Sequence, residues 1–151
     1  MEIIFKNDVI AKKTMSMGGN QSQYVYHIDA PLFIWRDMYK YGIGNGTTIE
    51  ETTKILEPVF HLPNKNEFII YENNRYICPD DVVYTILSNN LKKSYQDMYM
   101  MYKENIKLGL RPSVAINTLP STIYFSSILN CDSNSITRFS SNYYPYIKIT
   151  S

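Results

Sequence analysis

The pattern between Pro79 and Leu110 constrains this chain more than any other, because it requires a long helix with one apolar face. Pro79-Asp80-Asp81 opens the helix and places carboxylates at the positive end of its dipole. Val83, Leu87, Leu91, Tyr95, Met98, Tyr102 and Ile106 recur at spacings of four and three, which aligns them on one face. Leu108-Gly109-Leu110 closes it. Such a stripe must be buried against something, and the other segments supply candidates.

Glu2 to Lys6 is short, apolar and β-prone, and a turn-rich stretch with MGGNQS at Met17 to Ser22 follows it. QYVYHI, Gln23 to Ile28, is a strand by its aromatic and β-branched content. Asp29-Ala30-Pro31 predicts a helix start, with Asp29 as N-cap and Pro31 in the first turn. That helix runs from about Ala30 to Tyr41, where Gly42 stops it. Ile55 to Pro63 is extended and broken by prolines. Glu67 to Pro79 reads as a β-hairpin around Asn73-Asn74, since Asn tolerates positive φ. Pro112 opens a short helix that Pro120 ends. STIYFSSIL is a strand or a buried helix, which periodicity alone does not separate. SNSITRF predicts a short helix capped by Ser or Asn, and YYPYIKI a strand or an extended tail. The expectation is an α/β (α+β) chain of 151 residues in a single domain, with a mixed or antiparallel sheet packed by one long helix and several shorter ones.

Composition narrows the classes of function. Apolar content of 44% against 19% charged predicts a folded chain. A net charge of +1 gives no electrostatic case for nucleic acid. No run reaches the apolar length that spans a bilayer, and the N-terminus lacks a signal-peptide pattern, so a cytoplasmic protein is expected. The wealth of Tyr, Asn, Ile and Lys fits an AT-rich coding bias, such as that of a phage. Cys78 and Cys131 form no CxxC and have no His at ligand spacing, which argues against zinc, and in a chain with no export signal free buried thiols are favoured over a disulfide.

The segment YKYGIGNGTTIEETTK, Tyr39 to Lys54, resembles an anion-holding loop, with three glycines in five residues. However, GIGNG follows a helix, whereas phosphate loops of the dinucleotide-binding type follow a strand. A turn after a helix C-cap is the better reading. Thr47 with Glu50 three residues later has the form of a capping box and gives TTIEETTK an ordinary structural job. His27 and His61 have no acidic partner at a telling spacing, and His27 is expected to be a half-buried structural residue. The tyrosines at 95, 99, 102, 143, 144 and 146 are read as packing residues first and stacking platforms second.

Two segments, YVYHIDAPLFIWRDMYKYGIGN and MYKENIKLGLRPSVAINTLPSTIYF, together resemble the flavin-dependent thymidylate synthase family over roughly Gln21 to Phe139. Ala30-Pro31, Leu119-Pro120 and Tyr124 match literally. The resemblance implies that family's scaffold, tetrameric assembly with pockets at subunit interfaces, and reduction of dUMP with a flavin and methylenetetrahydrofolate. The polar residues of the pocket depart from the family's. Its RHR falls on Lys40-Tyr41-Gly42, and its loop Ser on Gly44 or Asn45. Its Ser-x-Arg falls on Glu50-Glu51-Thr52, carboxylates that repel a phosphate. Its Glu-His falls on Asn20-Gln21, and the Arg of ARIVLP on Ile116.

The resemblance therefore implies a retained scaffold without thymidylate synthesis: an oligomeric module binding a nucleotide or a host protein, with FAD held only if the pocket survives. The candidate pocket comprises Arg36, Lys40, Tyr41, Gly44, Asn45, Thr47, Tyr124 and Arg138. One rival reading is an enzyme with altered chemistry on a pyrimidine deoxynucleotide, using Arg36, Lys40 and Arg138 as replacement cations. The other is an unrelated small viral inhibitor.

Overall fold

The structure, a computed structural model, describes residues 2–17, 20–43 and 55–150. In chain order the elements are β1 (Ile4–Lys6), β2 (Val9–Met17), β3 (Asn20–Pro31), α1 (Leu32–Lys40), β4 (Val59–His61), β5 (Ile70–Glu72), β6 (Arg75–Ile77), α2 (Asp81–Lys107), α3 (Pro112–Ala115), β7 (Tyr124–Asp132), α4 (Ser133–Tyr143) and β8 (Ile147–Thr150). They divide into two compact units. One comprises Met1–Asn7 with Thr52–Pro120, and the other Asp8–Glu51 with Ser121–Ser151.

The second unit is built on a mixed four-stranded sheet in the order β7-β3-β2-β8. β3 runs antiparallel to both neighbours, and β8 is parallel to β2. Alternation along the strands sends Val9, Ala11, Tyr26, Ile28, Ala30, Leu129, Cys131 and Ile147 into one core with Ile34, Trp35 and Met38 of α1 and Ile136 and Phe139 of α4. The Trp35 indole N–H donates to the Phe125 carbonyl at 2.8 Å, so its one polar atom is satisfied inside the core. STIYFSSIL is resolved as the strand β7, in unbroken register with β3.

Four local expectations are corrected here. β2 occupies the stretch read as turn-rich; its alternation is weak in sequence because Ala11 and two lysines stand where large apolar residues would signal a strand. α1 starts at Leu32 rather than near Ala30, and Asp29 is not its cap. Asp29 stays in β3 and accepts a hydrogen bond from the Ser126 hydroxyl at 2.9 Å. The orphan N–H groups of Leu32 and Phe33 are met instead by the carbonyls of Ile123 and Ser121, both at 2.9 Å. α4 is capped by Asp132, whose carboxylate accepts from the Asn134 N–H at 3.0 Å, rather than by Ser or Asn. His27 is exposed, not half-buried, because it points away from the face that Tyr26 and Ile28 bury.

The first unit pairs β1 and β4 in parallel and carries α2 and the β5–β6 hairpin. Asp80 caps α2 by accepting from the Val83 N–H at 2.9 Å. The hairpin turns at Asn73 and Asn74, with φ of 52° and 62° as the sequence predicted. The helix stripe is slightly rotated from its expected position: Ser88, Tyr95, Tyr99 and Tyr102 are the buried residues. Tyr95 stacks on Phe60 at 5.4 Å and Tyr99 meets it edge-on at 6.1 Å. The Tyr99 hydroxyl donates to the Leu56 carbonyl at 2.8 Å, and the Leu56 N–H donates to the Tyr102 hydroxyl at 3.1 Å. Two tyrosines thus satisfy both backbone groups of one buried residue. His61 lies buried in β4, and desolvation holds its pKa below the ordinary histidine value against an opposing pull from Glu67.

Candidate functional site

The ends of α1 and α4 meet in an aromatic cluster. α1 finishes at Lys40, and its last turn is closed by the Tyr41 N–H to the Asp37 carbonyl and the Ile43 N–H to the Met38 carbonyl, at 3.0 and 2.9 Å. Between them Gly42 adopts φ of 73°, a left-handed conformation that glycine takes without a Cβ penalty. Across from this end, α4 closes with Tyr143 and Tyr144.

The rings of Tyr41 and Tyr143 stack face to face, with centroids 4.3 Å apart and planes at 11°. Phe139 lies beneath both, at 6.2 and 5.7 Å, and is itself buried. Phe33 packs on Tyr144 at 6.1 Å, and the Tyr144 hydroxyl donates a hydrogen bond to the Asp37 carboxylate. Burial and that hydrogen bond push the Tyr144 phenol well above its ordinary range. The Tyr143 phenol is also raised, first by desolvation and then by Tyr41, with Lys40 opposing.

Tyr41 is 45% and Tyr143 47% exposed, so the stack presents open aromatic surface. The Lys40 ammonium stands 5.6 Å from the Tyr41 centroid. Chemically this is a flat stacking platform with a cation over one of its rings, held in place by a buried ring and a carboxylate–phenol hydrogen bond.

Of the residues read from the sequence, Lys40 and Tyr41 are brought into this cluster. Arg36 on α1 and Arg138 on α4 are exposed. Tyr124 is buried on β7 and donates its hydroxyl to the Asp8 carbonyl at 2.8 Å; desolvation raises its phenol. Gly44, Asn45, Thr47 and the capping box at Thr47–Glu50 lie outside the described residues.

Sequence reasoning missed the joint role of Asp37, Phe139, Tyr143 and Tyr144. The available signal was the run Tyr143-Tyr144, which pointed to packing without naming a partner. Among the described residues no group of His, Cys, Asp and Glu is placed to hold a metal. Cys131 is buried, and desolvation pushes its thiol up to about 12; Cys78 is exposed rather than buried, and both are free thiols. No helix of the described residues is long and apolar enough to cross a membrane.

No protein-family profile matches the chain. It is similar to the flavin-dependent thymidylate synthase of Tropheryma whipplei (strain TW08/27), at 23% identity over 122 residues, covering 78% of this chain and 51% of that one. It is also similar to the flavin-dependent thymidylate synthase of Thermosipho africanus (strain TCF52B), at 22% identity over 118 residues, covering 77% and 52%. The chain spans about half the length of the curated relatives it matches. In fold it matches the UMP/dUMP methylase PolB from Streptomyces cacaoi bound with 5-Br UMP, with a TM-score of 0.70 and 14% identity, over 93% of this chain and 79% of that one. The mixed α+β architecture is therefore that of a known nucleotide methylase, and the resemblance seen in the sequence extends to weak homologues of the same name.

Proposed function

We propose that this chain keeps the scaffold of the flavin-dependent thymidylate synthases without their reaction, and works as a homo-oligomeric, cytoplasmic module that binds a pyrimidine nucleotide. The Tyr41–Tyr143 stack carries the reading. It stands where the resemblance places the RHR of the family. Arginines there would grip phosphate with bidentate forks. In this chain Lys40 is a point charge, the Tyr41 ring is engaged with Tyr143, and Gly42 has no side chain. The described residues at these positions do not fit the phosphates of a flavin, so no step of the proposed function runs through one. They suit a smaller ligand whose base extends the aromatic stack and whose phosphate approaches Lys40.

The experiment combines a binding and a turnover measurement. Titration with dUMP, UMP and dTMP is expected to raise the melting temperature, because a ligand bound to the native state stabilises it by mass action. Tyr143→Ala is expected to remove that rise. Incubation with dUMP, FAD, a reductant and methylenetetrahydrofolate is expected to yield no dTMP. Formation of dTMP would overturn the loss of catalysis and favour the rival enzyme reading. No shift with any of the three nucleotides would overturn the binding module and favour a host-protein partner.

A further inference from the structure

α2 buries its tyrosine stripe, but it also exposes a second one. Val82 is 70%, Ile86 55%, Met100 57% and Leu108 79% exposed. Together with Asn89, Lys93, Asp97 and Glu104 they follow one another at spacings of three and four along the helix and its C-cap, which places them on one continuous face. Met101, 49% exposed, borders it. Apolar residues occupy the two ends of the stripe, and the Lys93–Asp97 ion pair, at 3.0 Å, occupies its middle.

We infer that this outer stripe of α2 is a self-complementary seam on which a second copy of the chain packs antiparallel. The inference rests on the homo-oligomeric part of the reading above and names its interface. Placing a two-fold axis at the level of residue 95 sets Val82 of one copy opposite Leu108 of the other. Asn89 then faces Met101, Asn90 faces Met100, and Ile86 faces Glu104. Lys93 falls opposite the second copy's Asp97, and Asp97 opposite its Lys93, so the two ion pairs join into a four-charge network. No like charges are brought together. A parallel pair in register would set Lys93 against Lys93 and Asp97 against Asp97, which charge complementarity disfavours. Val82 and Leu108 then close over one another at each end of a seam of about 40 Å.

Sedimentation of the full chain across a range of concentrations tests the seam. The wild type is expected to self-associate. Ile86→Glu places a carboxylate opposite Glu104 and is expected to weaken association by at least about 30-fold. Lys93→Asp is expected to weaken it by about tenfold, and adding Asp97→Lys to the same chain is expected to restore it. These are exposed helix positions, so unchanged circular dichroism separates a broken seam from a failed fold.

In a Cys78→Ser background, a short bismaleimide is expected to join Val82→Cys chains to Leu108→Cys chains when mixed, and to leave each alone unjoined. A chain that stays monomeric overturns both the seam and the oligomeric reading. Association that ignores these substitutions, or Val82→Cys chains that join one another, overturns the seam and leaves the oligomeric reading standing.

Discussion

Tyrosine does two different jobs in the two units. On α2, Tyr99 and Tyr102 are 2% and 1% exposed, and their hydroxyls are spent on the backbone of Leu56. At the ends of α1 and α4, Tyr41 and Tyr143 are nearly half exposed and lie flat on each other. The first pair uses the polar tip of the side chain to make burial tolerable. The second leaves the ring available to solvent or to a ligand. The same residue type therefore marks core in one place and surface in the other, and the difference lies in what the hydroxyl meets.

The contrast can be broken most strongly from below. Phe60→Ala removes the fully buried ring on which Tyr95 and Tyr99 rest, and should cost about 3–5 kcal/mol by urea unfolding. A loss under 1 kcal/mol would show that the α2 tyrosines do not depend on it. Tyr99→Phe keeps the ring and strands the buried Leu56 carbonyl, with an expected cost of about 1–3 kcal/mol.

Tyr143→Phe should be nearly neutral to stability, because its ring remains on Tyr41, whereas Tyr143→Ala should cost about 1 kcal/mol. If Tyr143→Phe proved as costly as Tyr99→Phe, the exposed pair would be core by another route.

The smallest expected effect is a pH dependence. Burial lowers the His61 pKa in the folded state, so the unfolded chain binds the proton more readily. The contribution of neutral His61 is complete above its unfolded value near 6.5 and is lost as pH falls through the folded pKa. Stability should decline on acidification below about 6.5, and His61→Gln should flatten that limb of the curve.

Local chemistry made much of the fold legible. The acidic start of α2 at Asp80-Asp81, the α2 stripe and the Asn73-Asn74 turn each rest on neighbours in sequence, and each stands close to where it was expected. What escaped depends on partners far along the chain. Tyr99 joins the core because Leu56 offers it a carbonyl 43 residues away. Leu32 and Phe33 need no side-chain cap because Ile123 and Ser121 supply carbonyls. β2 lacks a strong strand signature of its own and is held between β3 and β8. The site divided in the same way. Lys40 and Tyr41 could be singled out because the resemblance aligns them with a family motif, but Tyr143 is tied to them only when α4 brings it onto Tyr41.

The bend at Gly42 bears on how this chain could change over generations. A residue with a Cβ at its φ of 73° meets a steric penalty of roughly 1 kcal/mol, and an arginine is no exception. Replacing Gly42 with a cation by a single codon change would therefore add a charge together with strain in the helix end. The last turn would have to be rebuilt as well, including the return of the Ile43 N–H to Met38. A cationic grip at this position therefore needs several changes at once rather than one.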